Sequence, residues 1–136
     1  MGQHVKKFEP GRAITFVAGG TIVAGTLVKM GSTDRTVVTA DANAAGWVGV
    51  AATDAASGEN VLVEIGGVQE IHAASTVAVG DLVVPAASGK IAALAGAGDT
   101  YAKADVNNAR AVVGVALTGI VVDAQTDTRI EILLFR

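Results

Sequence analysis

There is no cysteine in these 136 residues, which removes disulfides, thiol nucleophiles and cysteine-ligated metals at once. That absence leaves the redox compartment open. Aromatic residues are scarce: one Trp, one Tyr and three Phe in a chain that is 51% apolar, so Ala and Val must supply the core. Only two histidines are present, His4 and His72, far apart, and a metal site would need carboxylates brought to them by the fold. Basic charge is lacking too. The net charge of −3 is not the footprint of a general nucleic-acid binder. No apolar run approaches the roughly 20 residues of a membrane helix, and the first seven residues lack the apolar core of a secretory signal. The expectation is a soluble protein that stays, or is assembled, where it is made.

What the chain does have is glycine, 17 of them against two prolines, the composition of many short strands joined by tight turns. It also has a repeat. Trp47-Val48-Gly49-Val50-Ala51-Ala52-Thr53 returns as Val112-Val113-Gly114-Val115-Ala116-Leu117-Thr118. Each copy reads as a buried strand whose central glycine admits a close backbone approach. Ala24-Gly25-Thr26-Leu27-Val28 precedes the first copy as Val79-Gly80-Asp81-Leu82-Val83 precedes the second. Val61 to Ile65 follows the first copy as Ile130 to Leu134 follows the second. Two related β-units facing each other are the simplest account.

In chain order, residues 1–12 form a polar, basic arm with a Pro10-Gly11 turn signal, followed by one β-rich domain over 13–136. Strands are expected at Ala13 to Val17, Thr26 to Met30, Arg35 to Thr39, Trp47 to Thr53, Asn60 to Ile65 and Val68 to His72. Further strands are expected at Thr76 to Val84, Ile91 to Leu94, Val112 to Val122 with a break near Gly119, and Arg129 to Phe135. Residues 95–111 are the least regular, and a short helix over Tyr101 to Asn107 is an option with a thin apolar stripe. The fold class is all-β.

Catalytic constellations are not legible. Ser57-Gly58 and Ser88-Gly89 lack the flanks of a nucleophile elbow, and Gly96-Ala97-Gly98 lacks the lysine and helix of a phosphate loop. Asp54/Glu59 and Asp123/Asp127 stand in what read as matching turns, where carboxylates ordinarily accept backbone N–H groups. Lys29 faintly resembles the modified lysine of carrier β-domains, but it alternates within a strand instead of capping a hairpin. The residues therefore predict a protein that is not an enzyme and carries no cofactor. A small ligand-binding or carrier β-domain is the alternative, and an enzyme built from the turn acids is a further one.

The ordered succession of Ile22 to Val28, Trp47 to Glu59, Val61 to Val68, Thr76 to Val83, Ser88 to Ala92, Val113 to Leu117 and Arg129 to Leu134 resembles the small capsid decoration, or cement, proteins of tailed bacteriophages. The resemblance covers about Ile14 to Leu134, with residues 95–111 standing as an insertion. It implies a compact barrel- or tulip-like β-domain on the outside of the phage head, often trimeric, clamping the major capsid protein lattice. It carries over no catalytic residues. Candidate capsid or subunit contacts are His4, Val5, Lys6, Lys7, Phe8 and Arg12 of the arm, with Trp47 and Tyr101 as aromatic anchors, although Trp47 reads first as a core residue. Nucleic acid and membrane are not expected partners.

Overall fold

A computed structural model describes residues 13–94, 111–122 and 128–135. Its strands are β1 (Ala13–Ala18), β2 (Leu27–Met30), β3 (Thr36–Thr39), β4 (Trp47–Ala51), β5 (Asn60–Glu64), β6 (Val68–His72), β7 (Leu82–Pro85), β8 (Ile91–Ala93), β9 (Gly114–Ala116) and β10 (Arg129–Leu134). Among the described residues the one helical element is a 3-10 turn, Ala87–Gly89. The all-β reading holds. The option of a helix over 101–107 lies outside the described residues.

The repeat is a structural one. β1 to β5 close into a barrel in the order β1-β3-β2-β4-β5, and β6 to β10 form a sheet in the order β6-β10-β9-β7-β8. Renumbering β6 to β10 as a second set of five gives the same neighbours in the same order. The details match as well. Gly25 and Gly80 take left-handed φ values of 82° and 87° and donate to Ala51 and Ala116 at 2.7 and 2.8 Å. Thr53 and Thr118 each turn a hydroxyl oxygen to the N–H of the facing strand, at Leu62 and Glu131. The Ile22↔Ala55 bridge has its counterpart in Val77↔Ile120.

Two expected strands are shorter in the structure, one of them because the positive φ of Gly80 interrupts an extended run. The expected strand from Thr76 to Val84 is a bridge at Val77, a turn through Gly80, and then β7. The expected strand from Val112 to Val122 is reduced to Gly114–Ala116 plus a bridge at Ile120.

The two units differ in closure. In the first, β1 runs parallel to β3 through Val17↔Thr36 and Ala18↔Val37, sealing the barrel around Ile22, Val28, Val37, Val61 and Val63. In the second, the same seam is the single bridge Ala73↔Ile91. Its interior residues Ile71, Val83, Ile91, Ile130 and Ile132 share one cluster with Leu27, Ala40, Trp47 and Val50 of the first unit. So the units do not face each other symmetrically. The outer side of the first packs into the interior of the second, head to tail. Backbone hydrogen bonds from Asn43 N–H to Pro85 O and from Gly89 N–H to Ala40 O, both 2.9 Å, fasten the junction.

Candidate functional site

The turn acids are engaged locally. Asp54 Oδ1 accepts the Ala24 N–H at 2.7 Å, and Glu59 Oε2 accepts the Ala56 N–H at 2.9 Å. Asp81 does the same for Ala78 at 2.9 Å. Each carboxylate thus satisfies a backbone donor that its turn would leave unpaired. Asp54 and Glu59 line a shallow groove of about 330 Å³ at one end of the barrel, with Thr21, Ile22, Val23, Ala55 and Ala56. The repeat register pairs Asp54 with Gly119 and Glu59 with Thr128: Ala18 and Ala73 donate to the Glu59 and Thr128 carbonyls, both at 2.8 Å. A side chain at Gly119 would begin 3.0 Å from Val77 O and 3.1 Å from Val79 N, a tight approach to backbone that favours glycine over the first unit's acid. Asp123 and Asp127 lie outside the described residues.

Lys29 sits inside β2, and its Nζ donates to both oxygens of Asp41 at 2.9 Å. The Lys29 hydrogen bond, seconded by Asp41's own backbone N–H, holds the Asp41 carboxyl below its ordinary value. Because the folded-state value is depressed, this pair supports the fold fully above the ordinary aspartate range and is lost as pH falls through the folded value. Both groups are solvent-facing, with side chains 29% and 69% exposed, so the effect is small and screened by salt. Asp41→Asn should therefore lower the denaturation midpoint slightly at pH 7 and low salt. The difference should vanish in molar salt, and should shrink as the pH falls through the folded-state value of Asp41, as urea titrations across salt and pH would show.

His72 ends β6 exposed, its Nδ1 3.0 Å from Thr128 Oγ1, a strand-end contact. Among the described residues no three His, Asp or Glu side chains gather as a metal cluster.

The outer face of the second sheet is the other organised surface. Val68 lies opposite Leu133, Leu133 opposite Val115, and Val115 opposite Leu82. The Leu94 N–H donates to Leu82 O at 2.8 Å and extends the row to the β8 edge. Directly opposed residues point to one face of a sheet, so this is a continuous apolar row across all five strands. Val68, Leu82 and Leu133 are 52%, 42% and 39% exposed. Along the strands from the row stand Glu70 opposite Glu131, then His72 opposite Arg129. The first unit carries the matching row at Ala13, Glu64, Val50, Leu27 and Ala40. There, Leu27, Val50 and Ala40 are buried by the second unit.

Of the residues singled out from sequence, Trp47 is in the core: it is 1% exposed, within the cluster that joins the units, and offers no side-chain surface to a neighbour. His4, Val5, Lys6, Lys7, Phe8, Arg12 and Tyr101 lie outside the described residues. The apolar row was missed. Leu133 breaks the polar side of the alternation in β10, a signal present in the sequence, but only the register shows that Val68, Val115 and Leu82 line up with it.

An all-β scaffold of two like units, its ordered acids bracing turns and one sheet face apolar, defines a structural module. The chain belongs to the phage cement protein family, whose profile matches residues 8–128, and it is a structural protein of the phage head. Nothing among curated proteins matches. Among solved structures the chain is similar to the head fiber gp8.5 N base of bacteriophage phi29, with a TM-score of 0.59 and 17% identity over 90% of this chain and 92% of that one. At that identity the likeness speaks for the fold.

Proposed function

We propose that this protein binds the outer surface of a phage head, as a homotrimer, and stabilises the lattice of the major capsid protein. Membership of the cement family over residues 8–128 carries this reading. The scaffold suits it physically: a lattice multiplies modest contacts by copy number, and tightly registered β-units present those contacts without a large ordering cost. A cyclic trimer would be heterologous and closed, one patch meeting a different patch on the next copy. The arm residues His4, Val5, Lys6, Lys7, Phe8 and Arg12 are the proposed shell contacts, with the loop of Tyr101 as a second.

Co-sedimentation with expanded heads lacking the protein tests this. Saturable binding at a fixed ratio to the major capsid protein, giving heads that resist heat or chelation better, is the expected result. Absence of binding by the folded protein would sink the reading. Deleting residues 1–12 should lower head occupancy while leaving the far-UV spectrum unchanged; full occupancy by the truncated chain would remove the arm from the contact.

A further inference from the structure

The apolar row on the second sheet has a precedent for being covered, because its counterpart in the first unit is buried at the junction between units. Its cover must be an element that is apolar in part, and basic in part to meet Glu70 and Glu131. Those two carboxylates are directly opposed on the face of the row, with Arg129 the next residue along that face on β10, and a basic segment laid over them adds opposite charge to the pair. The arm fits both demands. Residues 1–12 hold Val5 and Phe8 beside His4, Lys6, Lys7 and Arg12, with Glu9 the one acid.

Its point of departure fits too. Ala13 is opposite Glu64, and β1 is antiparallel to β5, so β1 begins at the end of the barrel where β5 leaves it. From that end the chain runs on from β5 through Gly66 and Gly67 to Val68, the first residue of the row. Gly67 O accepts the Leu134 N–H at 3.0 Å, which holds this link against β10. Twelve residues extended reach about 40 Å, against roughly 19 Å for the four strand spacings that the row crosses.

We infer that the outer face of β6-β10-β9-β7 is the seat of the N-terminal arm of the same chain in the free protein, with Val5 and Phe8 on the row of Val68, Leu133, Val115 and Leu82, and Lys6 and Lys7 toward Glu70 and Glu131. The short tether favours the chain's own arm over another's, since it holds the arm at millimolar effective concentration. The seat concerns the protein off the head, so it stands or falls apart from head binding.

Zero-length carbodiimide cross-linking of the full chain, mixed in equal parts with ¹⁵N-labelled chain and digested, is the test. Intrachain links from Lys6 or Lys7 to Glu70 or Glu131, abolished in the Glu70→Gln/Glu131→Gln variant, are expected. As a second readout, deletion of residues 1–12 should raise the fluorescence of an apolar dye such as ANS several-fold. The same deletion in a Leu82→Gln/Leu133→Gln background should not. Mixed-isotope links would assign the seat to a second copy's arm and overturn the proposal. So would links from Lys103 in place of the arm lysines, or no arm link together with unchanged dye binding on deletion.

Discussion

Gly114→Ala should come close to unfolding the protein. A methyl group built on Gly114 would lie 2.0 Å from the Leu133 carbonyl oxygen and 3.0 Å from Ile132 Cγ2. The obstacle is mostly backbone of the adjacent strand, which cannot rotate out of the way as a side-chain tip can. Relief requires β9 and β10 to part, and that costs the hydrogen bonds and the packing of Ile132 and Leu134 beneath them. A loss of about 3–5 kcal/mol is expected, a large share of the 5–15 kcal/mol that a domain typically has. Gly49→Ala should behave alike, because its methyl would lie 2.2 Å from Glu64 O. Gly46→Ala is the control, with nothing within 4 Å of the added carbon and an expected change within about 0.5 kcal/mol. Thermal melts of the three variants decide it. A Gly114→Ala protein melting within a degree or two of the parent would refute the close approach of β9 and β10.

Trp47→Ala should cost about 3–5 kcal/mol by a different route, the loss of a large buried ring. Trp47 is the largest fully buried side chain among the described residues and touches the cluster built from both units. The cavity would open where the first unit enters the second, so both halves should lose stability together. Urea titration followed by far-UV dichroism should show one transition at a lower midpoint. Two separated transitions, or a loss under 1 kcal/mol, would contradict a shared core. As the sole tryptophan, Trp47 reports on that junction in the parent chain, and its fluorescence should change at the same urea concentration as the dichroism.

The repeat was readable because its anchors are cheap to recognise and expensive to replace. Gly49 and Gly114 sit under a neighbouring carbonyl, and Gly25 and Gly80 have φ values closed to most residues, so the same letters stand at matching places. Alternation in Arg129–Leu134 likewise gave one strand face away: the pattern of Ile130, Ile132 and Leu134 inside holds throughout. The head-to-tail packing was not readable. Leu27 and Leu82 occupy equivalent places in equivalent strands, yet one is sealed and the other is 42% exposed. That difference arises from what lies above each strand, and no local pattern encodes it. The turn acids show the same limit. In the repeat register Asp54 and Glu59 correspond to Gly119 and Thr128, an alignment that the longer second turn hides. Trp47, weighed as a core residue or an interface anchor, needed the long-range contacts of its cluster to be placed.

The unequal closure of the two units gives the molecule a temporal order. The first barrel draws its seam and its interior from residues 13–65 alone, so that seam and interior can form once that stretch has left the ribosome, while its outer side gains cover only from the second unit. The second unit has only the Ala73↔Ile91 bridge at its seam and borrows Leu27, Trp47 and Val50 to complete its core. Its half of the sequence therefore waits on a template that is made first, and synthesis from the amino end supplies that template in the right sequence. Joining the two halves in reversed order would keep every local element and ask the dependent half to emerge before its support.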